Sequence, residues 1–217
     1  MKIGRRAFLQ FLGSAIAGAQ IDAHSKFYSS DTHYIDRELG FGFEIPKGWF
    51  LETFRKDFPQ LLGGQQLAEE WRDEEGLLEE LGEGLIATLS KYPIVGSSPN
   101  RFSPSITFFR DDDSALEDYD DLKDLAEHAI LGFSSVLTDY QCTNPPKLIK
   151  RSDCTLIRAR SKFLFEHRDI SPVMIDDEAF IIHHESKIYT IHLYDSPYTG
   201  DSSQREFTTF RESLHIA

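Results

Sequence analysis

The sequence predicts an α+β fold: an antiparallel sheet with one long helix over about 115–140, a C-terminal strand meander and a short closing helix. Three observations lead there. Short period-two segments such as Phe41, Phe43 and Ile45, alternating with Gly42 and Glu44, mark strands before the helix. A single helical stripe runs through the middle of the chain, and the pattern then returns to strands. Regular β-α alternation is missing, which argues against a doubly wound nucleotide-binding sheet.

In chain order, the first segment is an address rather than structure. Residues 1–19 open with Lys2, Arg5 and Arg6 and no acid, then run apolar from Ala7 to Ala19. Arg5-Arg6-Ala7-Phe8-Leu9-Gln10 resembles the twin-arginine export motif, with paired arginines ahead of Phe8 and Leu9; Gln10 and Gly4 depart from the commonest residues of that motif. The resemblance implies passage through the twin-arginine translocase and a periplasmic or lumenal destination. Ala17-Gly18-Ala19 supplies a small-x-small cleavage site, and Ala15-Ile16-Ala17 a second. The apolar run is shorter than the roughly 20 residues a spanning helix needs, so no stable membrane anchor is expected.

Removing the signal leaves 20 basic against 36 acidic residues, a net charge near −16 where the whole chain carries −13. Such a surface repels nucleic acid and anionic lipid, and leaves basic partners, cations and neutral ligands as compatible classes. The remaining length suits one domain.

Residues 20–39 are polar and read as a linker; the domain proper is expected over 40–217. The first strand stops at Pro46 and a Lys47-Gly48 turn. Residues 57–84 are rich in Leu, Glu and Gly. Leu67, Trp71, Leu77 or Leu78, and Leu81 approximate a helical face there, cut by Gly63, Gly64, Gly76, Gly82 and Gly84. Strands are expected over 85–92 and 105–110. Ser114 and Glu117 form a capping box ahead of the stripe Tyr119, Leu122, Ala126, Ala129, Phe133, Val136 and Tyr140. The meander is placed at 155–165, 177–184 and 187–194, with Glu185-Ser186 as the last turn. A second capping box, Ser203 and Glu206, starts a helix whose face is Phe207, Phe210 and Leu214.

Gly40-Phe41-Gly42-Phe43-Glu44-Ile45-Pro46-Lys47-Gly48-Trp49 resembles the opening signature of the PsbP-like superfamily, which includes PsbP, Mog-type Ran-binding proteins and exported bacterial proteins such as DcrB and LpqN. The element order from Gly40 to Leu214 is similar as well. The Gly- and Glu-rich stretch at 57–84 departs from the family pattern. The resemblance implies a binding, assembly or stabilising protein with no shared catalytic residues. Phe41, Phe43 and Trp49 are expected in the core.

No catalytic, metal or cofactor motif stands out. Gly40-Phe41-Gly42 fails as a dinucleotide loop because Ile45 occupies the third glycine's place. His183 and His184 are strand neighbours pointing to opposite faces, and His192 would fall opposite Ala179, so the three cannot share an ion. The acids Asp111, Asp112, Asp113, Glu117, Asp118, Asp120 and Asp121 lack calcium-loop spacing and suit a helix start. Arg158, Arg160 and Lys162 share one strand face, and form a candidate docking stripe for an unknown protein or a small carboxylate ligand. Cys142 and Cys154 are a candidate disulfide, permitted by an oxidising compartment. The expectation is therefore an exported, soluble, non-enzymatic domain that binds or stabilises an envelope or lumenal partner. Two alternatives stand beside it: a small exported hydrolase with a dispersed site, and a ligand- or metal-binding protein folded before export.

Overall fold

A computed structural model describes residues 27–36, 40–52, 85–92, 102–150, 154–167, 170–197 and 203–216. The expected signal and the segment at 57–84 lie outside them.

Two antiparallel sheets and two helices make up the described chain. The small sheet contains β1 (Phe27–Ser29), β2 (His33–Asp36), β3 (Phe41–Glu44) and β11 (His215–Ile216), in the order β1-β2-β3-β11. The large sheet contains β4 (Phe50–Glu52), β5 (Leu85–Ser90), β6 (Ser105–Asp112), β7 (Gln141–Lys150), β8 (Thr155–His167), β9 (Ile170–His184) and β10 (Lys187–Asp195). Its order is β4-β5-β6-β10-β9-β8-β7. Helix α1 (Leu122–Val136) packs on one face of the large sheet. The small sheet and helix α2 (Gln204–Ser213) pack on the other. The fold is α+β, as the sequence predicts.

The stretch read as a linker contributes β1 and β2, because its pattern inverts the usual rule. In β2 the apolar Ile35 faces outward at 37 % exposure, while Asp36 is buried and accepts a hydrogen bond from the Tyr34 hydroxyl at 3.2 Å. Burial first, then Asp36, pushes the Tyr34 hydroxyl's pKa well up. Hydrophobicity alone could not reveal that strand.

β3 behaves as expected. Phe41, Phe43, Ile45 and Trp49 are all buried. The chain then reverses, Trp49 N donating to the Pro46 carbonyl at 3.0 Å. Gly48 takes φ +81°, a left-handed conformation that glycine adopts without strain. Gly42 faces away from the core yet is enclosed, since a Cβ there would lie 2.5 Å from the His215 ring.

The long helix starts later than the sequence suggests. Residues 113–116 form a short 3-10 turn, and α1 begins at Leu122. Its cap is Asp121, whose carboxylate accepts from Lys123 N at 2.8 Å and Asp124 N at 2.9 Å, and not Ser114. The expected stripe holds: Leu122, Ala126, Ala129 and Phe133 are buried against Ile157, Ile181 and Ile188.

After α1 comes a strand the sequence hid. Pro145 and Pro146, residues of a kind that usually stops a strand, lie within β7, where the pairing with β8 slips between Cys142 and Lys147. An edge strand with an irregular ladder tolerates the missing N–H groups. β9 likewise starts at Ile170 rather than 177. Pro172 falls beyond its last β10 partner pair, Asp176 with Asp195, so one side of the strand is open there.

The β7–β8 register also decides the cysteines. Cys142 lies across from Ser161, and Cys154 precedes Thr155, which pairs with Lys150. Seven residues of extended strand separate Ser161 from Cys154, roughly 23 Å. No disulfide joins them. The expected disulfide is overturned, because a bridge needs Cα atoms within about 7 Å.

Candidate functional site

Strand alternation sorts the side chains of β8, β9 and β10 onto two faces. On the α1 face, β8 presents Ile157, Ala159 and Ser161 opposite Ile181, Ala179 and Asp177 of β9. β10 adds His192 across from Ala179, the register expected from the Glu185-Ser186 turn. On the opposite face, Arg158 lies across from Phe180, Arg160 from Glu178 and Lys162 from Asp176. Asp176 in turn lies across from Asp195.

The α1 face buries Ser161, Asp177 and His192, the residue types of a hydrolase triad. Their order is wrong for one. His192 Nδ1 meets both Asp177 oxygens at 3.1 Å, but the Ser161 hydroxyl approaches Asp177 Oδ2 at 3.4 Å. A nucleophilic serine needs imidazole as its base, with the carboxylate on the far side. Here the carboxylate sits in the middle, and Phe133 of α1 packs edge-on to the imidazole. Tyr140 hydrogen-bonds Ser161, and burial pushes its hydroxyl's pKa up, Asp177 adding to the shift and Ser161 opposing it. The cluster is a buried polar network that ties β8, β9 and β10 to the end of α1.

His183 pairs instead with Asp113 at 2.8 Å, six residues along β9 from Asp177. No group of three or more His, Cys, Asp or Glu among the described residues is placed to hold a metal ion.

The opposite face carries the candidate stripe. Arg158 and Arg160 both bond Glu178 Oε1, the latter at 3.3 Å, and Arg211 of α2 bonds Glu178 Oε2 at 2.5 Å. One carboxylate, with its side chain only 8 % exposed, thus gathers three guanidinium groups from two elements. Lys162 forms no ion pair among the described residues. A cleft of about 440 Å³ opens beside it, lined by Thr143 and Asn144 of β7, Arg160 and Lys162 of β8, Asp176 and Glu178 of β9, and Gln204 and Phe207 of α2.

Burial holds the Asp176 carboxyl above its usual range and Asp195 adds to the shift, while Lys162 and Arg160 oppose it. Asp195 itself is occupied. It accepts from Ser196 N at 3.0 Å, Ser203 N at 3.1 Å and Gln204 Nε2 at 2.9 Å. That carboxylate fixes the start of α2; the side chain of Ser203, the expected capping-box residue, makes no cap and accepts from Lys91 at 3.2 Å.

Of the site residues proposed from sequence, the structure brings Arg158 and Arg160 together on Glu178 and sets Lys162 beside them. Sequence reasoning missed Glu178, Asp176, Asp195 and Arg211. The first two carry a readable signal: they share a period-two face, and antiparallel pairing would have placed them across from Arg160 and Lys162 had the register of β8 with β9 been found. Arg211 carries none, because only packing brings α2 to that strand.

No protein-family model matches the sequence, and no curated protein does. Among solved structures, the chain is similar to cyanobacterial PsbP (CyanoP) from Synechocystis sp. PCC 6803, determined in solution. That likeness has a TM-score of 0.54 at 13 % identity and covers 92 % of this chain and 98 % of the other. The fold is PsbP-like. A second similar structure, a 1.50 Å crystal structure from Bacteroides thetaiotaomicron VPI-5482, has a TM-score of 0.42 at 13 % identity. It covers 87 % of this chain, which spans about half (49 %) of that protein. Likeness at this identity establishes the PsbP-like architecture, the one expected from Gly40 to Trp49. Among the described residues, no helix is long and apolar enough to cross a membrane.

Proposed function

We propose that this chain is an exported, soluble, non-enzymatic domain that binds an envelope or lumenal partner through the face bearing Arg158, Arg160 and Lys162. The observation that carries the reading is a concentration of positive charge beside an open cleft, on a chain whose net charge is −13. Complementary charge raises the encounter rate and fixes orientation more than it adds raw affinity. The PsbP-like fold and the twin-arginine resemblance at Arg5, Arg6, Phe8 and Leu9 support the placement outside the cytoplasm.

Affinity capture from the native envelope tests the binding half of the proposal. A partner retained at low salt should be released as ionic strength rises. The double variant Arg160→Gln with Lys162→Glu should fail to retain it. Retention that ignores both salt and variant would overturn the assignment of the face. Export is tested separately, by replacing Arg5 and Arg6 with Lys. The twin-arginine receptor separates the two side chains despite equal charge, so unprocessed precursor should remain in the cytoplasm. Normal processing of that double variant would sink the route.

A further inference from the structure

We propose that the cleft between β7, β8, β9 and the start of α2 is a binding site for a small organic carboxylate. The inference rests on the reading that this face binds rather than catalyses, and it names a ligand for the cleft itself.

Charge placement carries the argument. Glu178 lines the cleft, but Arg158 and Arg211 meet its carboxylate as well as Arg160 does, and neither of those two lines the cleft. The negative charge of Glu178 is therefore spent. Asp195 is spent too, on Ser196 N and on Ser203 N and Gln204 Nε2 at the head of α2. Asp177 lines the cleft in name only, since its carboxylate is bound to His192 on the other face of the sheet. What remains toward the opening is Arg160, its side chain 43 % exposed and sharing an already shared carboxylate, then Lys162, and one acid, Asp176. Two cations against one carboxyl favour an anion.

Shape and chemistry narrow the anion to a carboxylate. Arg160 and Lys162 sit two residues apart on one strand face, about 7 Å along β8. A planar guanidinium accepts a carboxylate in a two-point fork, and an ammonium takes a second oxygen without angular demand. Asn144 of β7 and Gln204 of α2 also line the cleft; the Gln204 amide is engaged by Asp195, which leaves the Asn144 amide to bond a neutral or second acidic end. The lining is mainly polar and Leu193, Pro197 and Phe207 supply the apolar contacts, which suits a short charged metabolite better than a greasy one. The volume lies at the small end of ligand sites.

Two opposite effects should identify the site. Lys162 forms no ion pair among the described residues, so Lys162→Gln removes a ligand contact without breaking the fold. Asp176 is the like charge in the cleft, so Asp176→Asn should improve binding, an outcome that a merely structural role for either residue would not produce. Isothermal titration of the purified protein with succinate at low ionic strength is the measurement. Saturable binding is expected, weakened about tenfold in Lys162→Gln and tightened several-fold in Asp176→Asn, with circular dichroism confirming that both variants are folded. No saturable succinate binding up to roughly 10 mM, where an interaction stronger than a few kcal/mol would register, overturns the proposal. So does equal affinity in wild type and Lys162→Gln, or binding of inorganic phosphate where succinate fails. Loss of succinate binding with partner capture intact would sink this inference and leave the proposed function standing. Succinate binding without any salt-sensitive partner would do the reverse.

Discussion

The same face of the large sheet is built two ways along its width. At the β5-β6-β10 side, the small sheet lies over it and the covered positions Ala87, Leu89, Ile106, Phe108, Tyr189, Ile191 and Leu193 are aromatic or aliphatic. Phe108 stacks on Phe43 at 4.6 Å, Phe43 on Tyr34 at 5.1 Å, and Phe210 of α2 meets both Phe43 and Phe108 edge-on at 5.5 Å. At the β7-β8-β9 side, the same period-two positions hold Arg158, Arg160, Lys162, Asp176 and Glu178. The strands do not differ in geometry; the cover does. Where a second layer exists the alternation selects rings, and where it runs out the alternation selects charges, three of them gathered on Glu178. A site on this protein is therefore read from the edge of the cover, and stability from beneath it.

The largest effect should come from the covered half. Phe108→Ala removes the ring shared by Phe41, Phe43 and Phe210, and should cost about 3–5 kcal/mol in chemical denaturation. The neighbouring rings belong to two different elements, β3 and α2, and cannot all close on the void. A loss under about 1 kcal/mol would mean that the stack contributes little and that the two halves differ less than their composition says.

In the open half the largest single effect should be at Glu178. Replacing it with Gln leaves three guanidinium groups without their carboxylate. Removing one partner of a wholly buried pair costs about 3–5 kcal/mol. Arg158 and Arg160 are 39 % and 43 % exposed, so water recovers part of that, and about 2 kcal/mol is expected. By contrast, the exposed Lys123–Glu127 pair on α1 should be silent in the same assay.

Much of the covered half was legible in the sequence, because burial imposes a period there. Phe41, Phe43 and Trp49 announced their strand, the stripe from Leu122 to Phe133 its helix, and Phe207 with Phe210 the closing helix. The elements that stayed hidden are those whose pattern is set by a partner distant in sequence. β2 buries Asp36 because Tyr34 bonds it, β7 keeps two prolines because it is an edge, and the carboxylates of the cleft depend on the register of β9 against β8. Caps were half legible. The acids at 111–121 pointed to a helix start, but several could serve, and spacing could not choose Asp121 over Ser114. Asp121→Ala should cost about 1 kcal/mol, and Ser114→Ala close to nothing. The reverse ranking by thermal unfolding would restore the capping box.

The smallest effect is the most specific to the open half. Asp176 faces Asp195 across the strand pair, and burial raises its pKa above the ordinary 3.8. The sign follows from which state binds the proton more tightly. Below 3.8 both folded and unfolded chains hold it, and the carboxyl costs nothing. As pH rises through the raised folded value, the unfolded chain has already released its proton, so ionisation favours unfolding. The stability tied to the neutral carboxyl is thus present in acid and lost toward neutrality. Asp176→Asn keeps the shape of the neutral form and abolishes the titration. It should raise the melting temperature at pH 7 by no more than about 3 °C, since the group is partly solvated and its burden small. The difference from wild type should shrink to nothing as pH falls to about 3. A variant that is less stable than wild type at pH 7 would show Asp176 to be a needed partner of Lys162 or Arg160. In that case the cleft has no excess of positive charge, and the contrast between the two halves of the sheet reduces to a difference in polarity alone.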